Sequence, residues 1–116
     1  DRKNRERYPT DMNLSRVYQY DSCRGLEGWC VVCYDFDLLY EYKMQQFINW
    51  LKNGKVQIDE LATNEEKAEK LTTLWLLMPL TRAIDRLVIT LSDPNSFIGQ
   101  KLKELHNAYP DIITWH

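Results

Sequence analysis

The sequence predicts an α/β fold in which a parallel sheet carries helices on both faces. Strand-like runs alternate with helical segments along the chain, as in folds built from parallel strands joined by helical crossovers. The strand-like runs are also continuously apolar rather than alternating, which is typical of strands buried on both sides. At 116 residues, with 44% hydrophobic and 28% charged residues, the chain has the size and composition of one ordinary globular domain.

The first half of the chain supplies two predicted strands. Residues 1–13 are polar and have no hydrophobic period, so we expect a flexible arm there and a single folded lobe over 14–116. The β-prone run Arg16–Tyr20 predicts a first strand. A turn-rich loop with two glycines follows over Asp21–Gly28, and the apolar run Trp29–Tyr34 predicts a second, fully buried strand.

From Asp37 onward the hydrophobic period becomes helical. Apolar residues recur at spacings of three and four, and Asn53-Gly54 supplies a stop signal. The residues that set this period are Met44, Phe47, Ile48 and Leu51. We therefore expect a helix that ends at Asn53.

A second helix is predicted to begin at Thr63, whose hydroxyl and the Glu66 carboxylate form a capping-box pattern. Pro79 should kink or break it just before Thr81-Arg82. The expected apolar face consists of Leu71, Leu74, Trp75 and Met78.

The end of the chain predicts one more strand and one more helix. Arg86–Leu91 is β-prone and apolar. Asp93 and Pro94 then fit the N-cap and first position of a helix that ends near Pro110. Its expected apolar face carries Ile98, Leu102 and Leu105.

Charge and cysteine usage narrow the classes of function. The net charge is −2 and the pI about 5.7, so any nucleic-acid contact would depend on a few placed groups rather than on a basic surface. Three cysteines without a signal peptide favour a reducing, cytoplasmic compartment. The longest apolar run, Leu74–Leu80, is far shorter than the roughly 20 residues of a membrane helix. Because the chain begins at Asp1 rather than Met, we expect a piece of a longer protein.

Two segments place charged side chains where a packed strand or helix has no use for them. One is the loop Asp21–Gly28, expected at the carboxyl end of a strand, where open α/β sheets bind ligands. The other is Leu80–Arg86, in which Arg82 follows a very apolar helix and could be aimed at phosphate oxygens. Structural alternatives remain open, because such loops are common surface turns and the helix dipole alone favours an arginine at a helix end.

These two segments resemble two helicase motifs. Val17–Gly28 (Val-Tyr-Gln-Tyr-Asp-Ser-Cys-Arg-Gly-Leu-Glu-Gly) looks like motif V of the UvrD/Rep/PcrA helicases of superfamily 1, a strand leading into T-x-H-x-x-K-G-L-E. Leu77–Ile89 (Leu-Met-Pro-Leu-Thr-Arg-Ala-Ile-Asp-Arg-Leu-Val-Ile) is similar to their motif VI, V-A-L-T-R-A-r-d-r-L. The resemblance covers about Arg16 to Leu91 and implies the C-terminal RecA-like lobe of such a motor.

The resemblance also implies roles for single residues. The motif VI arginine, here Arg82, reaches the ATP γ-phosphate from the second lobe as an arginine finger. The motif V glutamate, here Glu27, lies against the ribose, and Gly25 permits close backbone approach. Arg24 stands where the family has lysine. Gln19 and Asp21 stand where the family's Thr and His face single-stranded DNA. The Asp21 carboxylate would repel a phosphodiester, so the residue at this position departs from the family pattern.

The implied cofactor is ATP with Mg²⁺, the metal being held by an N-terminal RecA-like lobe upstream that also carries the P-loop. The implied partners are that lobe and single-stranded DNA, or RNA if the motor is RNA-directed; no membrane partner is expected. An alternative function of a different class is a helicase-derived RecA-like regulatory or interaction module that does not translocate. Asp21 and the slightly acidic composition favour this alternative.

The remaining reactive residues predict no further site. Cys30 and Cys33 lie three apart in a strand and point to opposite faces, so they are predicted to be core thiols rather than metal ligands. His106 is predicted to be a solvent-facing helix residue. The aromatic residues Tyr34, Phe36, Tyr40 and Tyr42 could stack bases, but packing in the core and at its rim is the favoured interpretation.

Overall fold

A computed structural model of the chain describes residues 17–23, 25–54 and 62–116. The predicted arm over 1–13 and the Arg24 position lie outside the described residues. The elements are a 3-10 turn at Tyr20–Ser22, strand β1 at Gly28–Cys33, helix α1 at Phe36–Lys52, helix α2 at Asn64–Leu80, strand β2 at Ala83–Ile89 and helix α3 at Phe97–Ala108. The described residues thus combine two strands with three helices, in agreement with the predicted α/β class.

β1 and β2 form a two-stranded parallel sheet. Gly28 pairs with Ala83 at one end and Cys33 with Ile89 at the other. Beyond the last pair, the Thr90 N–H donates to the Cys33 carbonyl at 2.9 Å and ties the carboxyl ends of the strands together. The parallel direction agrees with the prediction from the continuous apolar runs.

The sheet is covered on one face only within the described part of the chain. The core cluster of Cys33, Phe36, Tyr40 and Leu76 lies on that face, with Val31, Ile89 and Ile98 packed against it. Side chains alternate along a strand, so Cys30 and Val32 point the other way, and both are exposed. The prediction of helices on both faces is therefore wrong for these residues, because α1, α2 and α3 all contribute to the same core.

The predicted first strand over Arg16–Tyr20 is also wrong in its described part. Val17–Gln19 have no regular structure, and Tyr20 begins the 3-10 turn. A β-prone run becomes a strand only when a neighbouring ladder satisfies its backbone groups. Here the Tyr20 hydroxyl donates to the Tyr34 carbonyl at 2.7 Å, a contact that holds the turn against the end of β1.

The limits of α1 and α2 follow local signals. Gly54 has φ +66° and donates its N–H to the Leu51 carbonyl at 3.0 Å, as expected for a glycine that ends a helix. At the start of α2, the Thr63 hydroxyl accepts from the Glu66 N–H at 3.2 Å, and the Glu66 carboxylate accepts from the Thr63 N–H at 3.0 Å. Both the stop signal and the capping box are confirmed. Helix α2 ends at Leu80, one residue after Pro79.

Two details of the helices differ from the prediction. The buried face of α2 carries Ala68, Thr72, Leu76 and Pro79, whereas Leu74 is exposed. The N-cap of α3 is Ser96, not Asp93, and its hydroxyl accepts from the Gly99 N–H at 3.1 Å. Asp93 instead caps a tight turn by accepting from the Asn95 N–H at 2.9 Å.

A buried carboxylate fixes α1 relative to the loop after β2. Asp37 is 1% exposed and accepts the N–H groups of Ser92 and Asp93, each at 2.8 Å. Burial alone raises the pKa of Asp37, but these hydrogen bonds outweigh it and hold the pKa below its ordinary value. Asp37 is therefore ionised at neutral pH, as a structural acceptor.

Candidate functional site

The two motif-like segments meet at one end of the two strands. Gly28 begins β1, Arg82 directly precedes β2, and the Gly28 N–H donates to the Arg82 carbonyl at 3.0 Å. Because the strands are parallel, this is the amino-terminal end of both. The expectation that the loop Asp21–Gly28 follows a strand's carboxyl end is wrong for the described residues, since the strand that would precede it is not formed.

Arg82 lies half-buried between the end of α2 and the start of β2. Its N–H donates to the Pro79 carbonyl at 3.3 Å, and its Nη2 donates to the Thr81 hydroxyl at 3.2 Å. Thr81 is itself fixed, because its hydroxyl lies 2.7 Å from the Leu77 carbonyl and donates to it. The backbone and one arm of the guanidinium are thus attached to the end of a packed helix.

The Nε–H donor of the Arg82 guanidinium is buried and makes no hydrogen bond within the described residues. A buried donor without an acceptor costs free energy, and at functional sites such a group is often completed by a ligand. A guanidinium presents its donors in a planar fork that suits phosphate and carboxylate oxygens.

Gly25 and Glu27 both lie exposed on the segment beside Arg82. Gly25 has φ +76°, a left-handed conformation that glycine adopts without strain, and no described residue other than its chain neighbours comes within 4 Å of where a side chain would begin. The Leu26 N–H donates to the Cys23 carbonyl at 3.1 Å and closes the turn. The segment therefore presents an accessible backbone and a solvent-facing carboxylate next to the arginine.

Cys23 belongs to this turn and is close enough to Arg82 to be affected by its charge, a proximity that no local sequence pattern indicates. Its thiol donates to the Tyr20 carbonyl at 3.1 Å. Burial raises the pKa of Cys23, and the positive charge of Arg82 offsets part of that rise. A thiol with a raised pKa is protonated at neutral pH, which disfavours the reactive thiolate form of Cys23.

Asp21 has a protein partner. Its Oδ1 lies 3.0 Å from the Nζ of Lys43, a residue of α1 whose side chain is 7% exposed. Gln19 is half-buried in extended backbone just before the turn. Sequence analysis did not single out Lys43, because 22 positions separate it from Asp21 and no local pattern links them.

The cysteines and histidines form no metal site in the described residues, where no group of three or more His, Cys, Asp or Glu side chains could hold an ion. Cys33 is buried as predicted, but Cys30 is exposed. His106 is half-buried rather than solvent-facing, with its Nδ1 2.8 Å from the Ile113 carbonyl.

Of the four aromatic residues, Phe36 and Tyr40 lie in the core, as the packing interpretation expects, whereas Tyr34 and Tyr42 are exposed. A search of the described helices found none with the length and apolar character to span a membrane.

Comparisons with protein-family models, with curated proteins and with solved structures returned no match for this chain.

Proposed function

We propose that this chain is the C-terminal RecA-like lobe of an ATP-dependent helicase of the UvrD/Rep type, and that it contributes one half of an ATP site. Arg82 acts as the arginine finger, and Glu27 with Gly25 contacts the ribose. The other half, with the P-loop and the Mg²⁺ ligands, belongs to an N-terminal RecA-like lobe. The complete motor is cytoplasmic and couples ATP hydrolysis to movement on single-stranded DNA.

The observation that carries the proposal is the contact between the two motif-like segments. They are more than 50 positions apart in the sequence, yet the Gly28 N–H···O=C Arg82 hydrogen bond of 3.0 Å joins them directly. A ribose contact and a γ-phosphate contact made by one lobe must lie within the length of one nucleotide, and this adjacency supports that arrangement.

The state of the Arg82 side chain gives further support. Phosphoryl transfer is accelerated by fixed positive charge placed where negative charge develops on the transferred group. The guanidinium is attached to a packed helix end through Thr81, and its buried Nε has no partner within the described chain. Turning the enclosed Nε toward a phosphate oxygen would give it the acceptor that it lacks among the described residues.

A regulatory or interaction module derived from a helicase is the second candidate. The observation that favours it is the Asp21–Lys43 ion pair, which gives the Asp21 carboxylate a partner inside the protein where the family pattern has a nucleic-acid contact. In that case the amino-terminal end of the two strands, where Arg82 lies, would bind a nucleotide or another anion without driving translocation.

ATP turnover by the complete motor distinguishes the two candidates. Arg82→Ala should lower kcat by roughly 10³ to 10⁵, the range measured for arginine fingers, and leave ATP binding largely intact because the other lobe holds the phosphates. Arg82→Lys should not restore activity, since a flexible ammonium lacks the planar fork. Arg86→Ala removes an exposed arginine four positions away on β2 and serves as the matched control. Near-normal turnover by folded Arg82→Ala would contradict the proposal.

A further inference from the structure

Lys43 is the most deeply buried cation of the described residues, and it connects three elements. Its side chain starts on α1, and its Nζ lies 3.9 Å from the centre of the Trp75 ring on α2. The same Nζ donates to Asp21 Oδ1 at 3.0 Å, in the 3-10 turn, and to Gln46 Oε1 at 3.2 Å. A lysine is rarely buried unless its charge is paired, so this arrangement is specific.

The Asp21–Lys43 contact fixes one end of the segment that leads to Glu27. The other end is held by the Gly28 N–H···O=C Arg82 bond. Gly25 and Glu27 lie between these two attachments and are exposed. Lys43, a residue of α1, thus contacts the start of the stretch of chain that ends at Gly28.

We propose that Lys43 is a positioning residue for the ribose contact: through Asp21 it holds the Gly25–Glu27 segment where it meets the nucleotide sugar. This inference rests on the proposed function. It assigns to the Lys43–Asp21–Trp75 cluster a role in selecting ATP over 2′-deoxy-ATP, because a carboxylate that hydrogen-bonds a ribose hydroxyl discriminates only when it is held in place.

The alternative is that the cluster only stabilises the lobe. The exposure of its two charged groups allows the roles to be separated. The Lys43 side chain is 7% exposed, but that of Asp21 is 68% exposed, so substitutions at Asp21 disturb the contact without opening the core. Asp21→Asn removes the charge, whereas Asp21→Glu keeps a carboxylate within reach of the ammonium.

The experiment measures KM and kcat of the complete motor for ATP and for 2′-deoxy-ATP. Lys43→Met keeps an unbranched stem against Trp75 but removes the charge. We expect it to raise KM for ATP about tenfold, to change kcat less than about twofold, and to reduce the preference for ATP to that of Glu27→Gln. The double variant Lys43→Met/Glu27→Gln should be no worse than either single variant.

Two further variants complete the test. Asp21→Asn should reproduce the Lys43→Met effect, and Asp21→Glu should retain the wild-type preference. Lys101→Met is the matched control, because Lys101 also contacts a carboxylate and an aromatic ring, Glu104 at 3.1 Å and Phe97, but on the exposed side of α3. It should leave both KM values unchanged.

The outcomes separate this inference from the proposed function. If Arg82→Ala abolishes turnover but folded Lys43→Met keeps the wild-type KM and ATP preference, the positioning role is wrong and the proposed function stands. If Arg82→Ala turns over ATP normally, both are wrong. If Lys43→Met does not fold, Asp21→Asn decides: an unchanged KM and preference would overturn the inference.

Discussion

The Asp37 carboxylate offers the sharpest test of how the lobe is held together. It is 1% exposed and accepts two backbone N–H groups, from Ser92 and Asp93, at 2.8 Å each. Asp37→Asn leaves one acceptor oxygen and sets an amide NH₂ against the second N–H. A hydrogen bond to a charged group contributes roughly 1.5–3 kcal/mol, so we expect the free energy of unfolding to fall by about 2–3 kcal/mol.

This loss should be seen in both thermal and urea unfolding. For a domain of this size, Tm should fall by roughly 8–12 °C. Asp93→Asn is the matched control, because the Asp93 side chain is exposed and asparagine keeps the oxygen that accepts from Asn95. The control should change the free energy of unfolding by less than about 0.5 kcal/mol.

The same substitution should change the acid dependence of stability. Because the folded pKa of Asp37 lies below its ordinary value, its contribution is complete above the unfolded pKa of roughly 3.9 and is lost as pH falls through the folded pKa. The difference in Tm between wild type and Asp37→Asn should therefore become smaller as pH drops below about 4. A Tm equal to that of wild type at pH 7, or a difference that does not depend on pH, would refute this account of Asp37.

Three further predictions follow from single contacts. On the proposed half-site, the isolated 116-residue chain should show no ATP turnover and should bind ATP with a Kd of about 1 mM or weaker in a binding titration, because the proposal places the phosphate cradle on the other lobe; measurable turnover would contradict the half-site. Gly99→Ala should lower the free energy of unfolding by roughly 1–3 kcal/mol in urea, because the added carbon would clash with the Pro94 carbonyl oxygen, and an unchanged midpoint would argue against that close packing. Asp21→His should lower Tm by breaking the Lys43 pair, and leave the motor's single-strand affinity unchanged at two salt concentrations; tighter binding that weakens with salt would instead indicate a phosphate facing this position.

Local signals predicted the elements whose limits depend on neighbouring residues. The capping box at Thr63 and Glu66 and the stop at Gly54 involve groups three residues apart, so the sequence displays them directly. The N-cap of α3 cannot be assigned from residue type alone, because Asp93 and Ser96 are both of types that cap helices well. The close approach of Gly99 to the Pro94 carbonyl, visible only in three dimensions, accompanies the choice of Ser96.

Contacts between distant residues explain what the sequence could not predict. The expected first strand is not formed over residues 17–20, and Tyr20 instead begins a turn that Tyr34 and Lys43 hold. The buried face of α2 is set by where α1 packs, which a helical period alone does not specify. In the candidate site, Arg82 and Glu27 were singled out through the motif resemblance, whereas Lys43 and Cys23 enter only through the geometry.

The most direct measurement is the distance from the Arg82 guanidinium to the γ-phosphate position in a structure of the complete motor bound to Mg²⁺ and a transition-state analogue of ATP. We expect Arg82 to donate to the γ-phosphate mimic at about 2.7–3.1 Å, with Glu27 beside the ribose. An Arg82 side chain that stays turned into its own lobe, beyond hydrogen-bond reach of the mimic, while the nucleotide is fully bound, would contradict the account.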